Sequence, residues 1–197
     1  KTYRKTTGHF MIGNIPVETR MCAGDWDLIE PKHVPSRAAM IYRKAFLNKD
    51  KNGGTRSYDE KRIKCSEKFT NAVSKGLING RQCQIHEILT NAKRAQGIER
   101  ELLISQFKNQ QKNMSFEIIV MMIKNLHSGE NILKYIANLM PVSDISGSMT
   151  FQNLKNSKYT PLDVSISLGV FFSNFTHKFI DNAKEFVGIL KNLSSSE

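Results

Sequence analysis

Between Ser36 and Gly129, apolar side chains return every three to four residues in one segment after another, and most segments carry a helix start or stop signal. HVPSRAAMIYRKAFLNKD opens with Pro35 and with Ser36 as a candidate N-cap, and places Ala39, Tyr42 and Phe46 on one face. KNGGTRS, residues 51–57, is a loop by composition. Asp59 to Lys75 reads as the next helix, with Cys65, Phe69, Ala72 and Val73 in one stripe and Gly76 as its stop. IHEILTNAKRA and GIERELLISQFKNQQ follow the same period. SFEIIVMMIKNLHSG makes a further helix, with Ser115 as cap and Gly129 as stop. Residues 1–30, punctuated by Gly8, Gly13, Pro16 and Gly24, hold no sustained period. A period of 3.6 kept this long leaves little room for a sheet. Residues 1–130 are therefore expected to form an all-helical domain.

The texture changes at Asn131. NILKYIANLMPVSD reads as a buried strand that runs into the turn PVSDISGSMTF. PLDVSISLGVFFSNF then reads as an apolar helix with Pro161 in its first turn and Val164, Leu168 and Phe171 on one face. THKFI is a second short strand, and NAKEFVGILKNL places Phe186, Ile189, Leu190 and Leu193 at helical spacing. Strand, turn, helix, strand, helix is the opening of an α/β unit. The expected fold class is mostly α with a C-terminal partial α/β unit over residues 131–197. Phe46, Phe69, Leu103, Phe107, Ile119, Ile123, Val164, Leu168 and Phe171 are the expected core.

The turn carries the most specific chemistry. Asp144, Ser146 and Ser148 put one carboxylate and two hydroxyls on alternate residues. At the carboxyl end of a strand, such a loop is where open α/β sheets place ligands. Hard oxygen donors at short reach suit Mg²⁺, and Gly147 would let the backbone fold tightly enough to turn both serines inward. The alternative is a loop whose aspartate and serines cap the next backbone amides.

Charge divides the chain unevenly. Residues 1–100 carry 20 basic against 10 acidic side chains and residues 101–197 carry 9 against 8, so nearly all of the net +11 lies in the first half. That asymmetry suits a polyanionic partner or a solvated, lysine-rich surface. Arg37, Arg43, Lys44, Lys61, Arg62, Lys64 and Lys68 are the candidate phosphate contacts for RNA or DNA. Arg43 and Lys44 are read as facing solvent together, away from the Ala39/Tyr42/Phe46 stripe. Cys22, Cys65 and Cys83 form no CxxC pair, and Cys83-x-x-His86 has no second half at zinc spacing, so a disulfide framework and a zinc ribbon are both unsupported. A reducing, intracellular compartment is expected. No apolar run reaches the length of a membrane span.

The stretch Asp144-Ile-Ser-Gly-Ser-Met resembles the opening motif, Asp-x-Ser-x-Ser, of the metal-ion-dependent adhesion site in von Willebrand factor A domains. TPLDVSISLGVFFSNF is similar to the first helix after that motif. WDLIEPKHVPSRAAMIYRKAFL and INGRQCQIHEIL resemble a family of plant and giant-virus proteins that join a helical domain to such a module. The layout is also similar to the Ro/TROVE proteins, whose helical repeats bind RNA. The resemblance covers roughly residues 25–175. It implies Mg²⁺ held directly by Ser146 and Ser148 and through water by Asp144, with an open position completed by an acidic side chain of a partner protein. It also implies a viral setting, virion or host cytoplasm, which the Asn-, Lys- and Ile-rich composition fits. Too little chain follows Ile136 for a complete A domain, and the family's later threonine and aspartate ligands have no counterpart. IDNAKEFVGIL, with Asp181-Asn182, stands where a Thr-Asp pair would precede the next helix. The unit is therefore expected to be truncated.

Two functions follow as expectations. One is a non-catalytic binding or assembly module with a partial metal site; the other is RNA or DNA binding by the basic helical half. No nucleophile elbow, P-loop, HExxH or paired-carboxylate spacing occurs, so an enzyme is not expected.

Overall fold

A computed structural model describes residues 15–125 and 142–173, with the side chains of 115, 116 and 118–125 excepted. The first fourteen residues, most of the strand expected before the turn, the elements expected after Ser173, and the side chains of Ile119 and Ile123 lie outside it. The described residues are mostly helical. They contain no strand, and Lys49 and Thr55 form an isolated antiparallel bridge. Among them, no helix is long and apolar enough to cross a membrane.

Two compact units are present. The first takes its described residues from 15–83 and 95–106, the second from 84–94, 107–125 and 142–173. In the first, α1 (Val17–Ala23) stops at Gly24, whose left-handed φ of 77° returns its N–H to the Arg20 and Met21 carbonyls. Two 3₁₀ turns follow, Trp26–Leu28 and Pro31–His33. The next helix breaks at Tyr42 into α2 (Ser36–Ile41) and α3 (Arg43–Phe46). Ser36 is not its cap. The hydroxyl is buried and instead accepts the N–H of Gln82 at 3.2 Å. α4 (Glu60–Ser74) is capped by the Asp59 carboxylate, which accepts the Arg62 N–H, and it buries Cys65, Phe69, Ala72 and Val73. Gly76 follows with φ 65°.

The core of this unit is aromatic. Phe46 and Phe69 stack with centroids 4.5 Å apart, while Trp26 and Tyr42 meet Phe46 edge-on at 6.4 and 6.3 Å. Ile29, Val34, Ala39, Leu47, Ile78 and Leu102 close around them. Leu102 comes from α6 (Gly97–Asn125), a single helix that runs through Ser115 where the sequence suggested a new start. No glycine or proline interrupts residues 98–125, so propagation costs less than nucleating a second helix. Gln106 of α6 is fully buried, and its amide donates to the Ser36 and Asn79 carbonyls at 2.8 and 2.9 Å. Gly80 touches the same helix, since a Cβ there would lie 2.1 Å from the Gln106 carbonyl oxygen.

In the second unit, α5 (Ile85–Arg94) buries Ile88 and Ala92 and sets His86 edge-on to Tyr159 at 4.8 Å. The helix at 161–173, α7, begins with Thr160 and Asp163 exchanging hydrogen bonds in a capping box. Phe171 is buried and packs edge-on against Phe107, and Gln111 donates to its carbonyl at 3.1 Å. Leu168, expected in the core, is instead 40% exposed, and Val164 is half-buried. Beside buried Phe171, Ser167 rather than Leu168 takes the inner position and satisfies its hydroxyl on the Asp163 carbonyl. Phe46, Phe69, Leu103 and Phe107 are buried as expected.

Candidate metal site and basic surface

The stretch leading to the turn lies against α7. Ser143 donates from its hydroxyl to the Ser165 carbonyl at 3.2 Å, and a Cβ on Gly169 would meet that hydroxyl at 2.4 Å. From this anchor the chain runs out to solvent. Asp144, Ser146 and Ser148 are all exposed, on coil that passes into a 3₁₀ turn, Gly147–Thr150.

The three side chains are joined. Asp144 Oδ1 accepts the Ser146 N–H at 2.8 Å, and the hydroxyls of Ser146 and Ser148 stand 3.0 Å apart. The Ser146 backbone N–H, and after it the Ser146 hydroxyl, hold the Asp144 carboxyl below its ordinary pKa by stabilising the anion. Gly147 does not have the part the sequence suggested. Its φ lies outside the left-handed region and an added Cβ would meet open space, so the turn does not depend on glycine. Among the described residues, no three His, Cys, Asp or Glu side chains converge in a way that could hold a metal. The donors available here are one carboxylate and two hydroxyls. All three are hard oxygens open to water, which suits an ion that keeps part of its hydration shell.

The seven basic candidates have a different fate. Arg43 turns inward rather than to solvent. Its side chain is 18% exposed, its Nε lies 3.3 Å from Glu99, and Nη1 donates to the Met40 carbonyl at 2.8 Å. The Arg43–Glu99 contact is a charge pair without hydrogen-bond alignment, because Nε finds no acceptor in line. Lys44 reaches the other Glu99 oxygen at 3.9 Å and the Lys51 carbonyl at 3.3 Å. Lys61 pairs with Asp25 at 3.3 Å, and Lys64 with Glu60 at 2.7 Å. Lys68 pairs with Glu30 and donates to the Asp27 carbonyl at 2.7 Å. Arg62 lies over the Trp26 ring at 3.9 Å, where burial, followed by the repulsion of Arg56, lowers its pKa. Arg37 is exposed on α2.

These cations thus largely tie α4 to the segment 25–30 and hold the start of α6. Glu99 is the residue the sequence reading missed. It is an acid in the first turn of a helix, 56 positions after Arg43, and nothing local marks its partner. Comparison of the chain with protein-family models, with curated proteins and with solved structures gave no match.

Proposed function

We propose that the chain is a non-catalytic binding or assembly module whose C-terminal part, residues 131–197, is a partial A-type α/β unit. In this reading Asp144, Ser146 and Ser148 form a partial metal-ion-dependent adhesion site for Mg²⁺. Ser146 and Ser148 ligate directly, Asp144 acts through water, and an acidic side chain of a partner protein takes the open position. The observation that carries it is the 3.0 Å between the two hydroxyls. Adjacent ligands on an octahedron with bonds of roughly 2.0–2.1 Å stand about 2.8–3.0 Å apart, so the separation that the two hydroxyls keep in their hydrogen bond matches the length of one edge of a Mg²⁺ shell. Titrating Mg²⁺ into the wild type and Asp144→Ala by calorimetry tests it. Heat in the wild type that disappears in the variant supports the site; equal heats, or none in either, end it.

A second reading, nucleic-acid binding by the basic half, is supported by a different observation. No ion pair among the described residues engages Lys49, Lys51 or Arg56. Binding of a labelled RNA or DNA that weakens steeply with salt would support this reading, and a flat response would refute it.

A further inference from the structure

We infer that the hairpin loop from Lys49 to Tyr58 is a contact site for single-stranded nucleic acid, with Lys49, Lys51 and Arg56 on the phosphates and Tyr58 as a stacking platform for a base. The inference rests on the second reading above and gives it a location.

The loop is built before any ligand arrives. Lys49 and Thr55 form the antiparallel bridge, Asp50 N–H donates to the Gly54 carbonyl at 2.9 Å, and Arg56 N–H donates to the Asn48 carbonyl at 2.8 Å. Below the bridge, buried Asn48 sits in the left-handed region at φ 52° and its amide donates to the Ser57 carbonyl at 2.7 Å. The tip turns on Gly53 at φ 90°, a conformation that glycine adopts without strain. A loop pinned this way loses little further entropy when it binds.

Among the described residues its three cations are in no ion pair, and they outnumber its one acid. The one acid within it, Asp50, is turned back on the loop, where Oδ1 accepts the N–H groups of Asn52 and Gly54 at 2.8 and 2.7 Å. The next acids along the chain are also engaged, Asp59 by the Arg62 N–H and Glu60 by Lys64. Lys51 and Arg56 are exposed and Lys49 is half-exposed. The helical cations, by contrast, are mostly occupied by carboxylates, carbonyls or an aromatic ring.

Tyr58 adds to the three cations a ring face on which a base can stack. It is 88% exposed, two residues from Arg56, on the arm that Asn48 anchors. A base gains a stacking face, and cations beside an exposed aromatic are the arrangement by which single strands are held without sequence readout.

Fluorescence anisotropy with a short labelled polythymidylate strand tests the inference on the full chain. Removing three phosphate contacts should lower the slope of log K against log salt by about 2 for a single strand. The triple variant Lys49→Ala/Lys51→Ala/Arg56→Ala should therefore lose roughly 20-fold less affinity than wild type between about 50 and 200 mM salt. Tyr58→Ala should weaken binding at least about fivefold at every salt concentration, and Tyr58→Phe should restore it. The triple variant keeps every backbone bond of the loop, and the Tyr58 pair gives a readout that does not depend on it. If the wild type binds but neither the slope nor the Tyr58 pair responds, the loop is wrong and the nucleic-acid reading survives elsewhere. If the wild type does not bind the strand even at low salt, both fail. Polyglutamate binding as tightly as the strand, with Tyr58→Ala indifferent, would assign the loop to an acidic protein and overturn the inference.

Discussion

Gly80→Ala places a methyl group against the backbone of α6. The Cβ would lie 2.1 Å from the Gln106 carbonyl oxygen, 2.8 Å from its carbonyl carbon and 3.2 Å from its Cα. These are main-chain atoms of a helix that also buries Leu102 and Leu103, so no flexible side chain can swing away. Reaching ordinary contact at 3.4 Å requires a displacement of about 1.3 Å between the helix and residue 80. Overpacking of this kind costs roughly 1–3 kcal/mol. The same shift stretches the hydrogen bonds from the Gln106 amide to the Ser36 and Asn79 carbonyls, now 2.8 and 2.9 Å, each worth about 1 kcal/mol net. The expected loss is about 2–5 kcal/mol, a large share of the roughly 5–15 kcal/mol that a folded domain possesses. Urea unfolding followed by far-UV circular dichroism should show the midpoint falling by roughly 1–2 M with little change in slope. Gly147→Ala is the internal control. Its Cβ meets nothing within 4 Å and its φ is not left-handed, so it should be neutral or slightly stabilising. A Gly80→Ala midpoint within error of wild type would refute the close approach of helix and turn.

Glu99→Ala should cost about 3–5 kcal/mol, because it strands Arg43, only 18% exposed, without its countercharge; Glu99→Ala with Arg43→Met should recover part of that loss in the same urea assay. The Asp144 carboxyl should titrate below an ordinary aspartate when followed by NMR, and Ser146→Ala should raise it only partly, since the larger cause is the Ser146 backbone N–H. Because this pKa is depressed on folding, any stabilisation from the turn is present above the unfolded aspartate value and is lost as pH falls through the folded one. Among the thiols, Cys22 is exposed and should react promptly with iodoacetamide at mildly alkaline pH. Cys65, whose thiol burial pushes up to about 12, should stay unmodified until the protein unfolds, as peptide mapping would report.

What was legible in the sequence was local. The helix after Asp59 carries its cap, its stripe and its stop within eighteen residues, and each of Asp59, Phe69 and Gly76 behaves as its neighbours dictate. Ser36 misled because the same hydroxyl that caps a helix also serves a distant amide, here at Gln82. Leu168 misled for a related reason: an apolar stripe sets a helix face only to within one residue, and Ser167 can take the inner position because its hydroxyl is satisfied by the Asp163 carbonyl. Of the basic residues, the sequence shows where the charge is but not where it points. Arg43 and Lys44 are directed by Glu99, whose place beside them is a tertiary fact. The alternation of Asp144, Ser146 and Ser148 was readable in the sequence, and the three are linked by hydrogen bonds in one turn, but the part assigned to Gly147 was not borne out by its backbone.

The first unit is discontinuous along the chain, since its core needs Leu102 and its carbonyls at Ser36 and Asn79 need Gln106. On a ribosome, which adds residues in order, the stacked pair Phe46 and Phe69 is synthesised well before the helix that covers it. Making residues 84–106 at roughly 5–20 residues per second takes on the order of 1–5 s. The same delay separates their emergence from the ribosome, so the aromatic pair leaves it seconds before its final cover does. That interval is long beside the microseconds in which a helix forms, and a chaperone that reads exposed aromatics has its opportunity there.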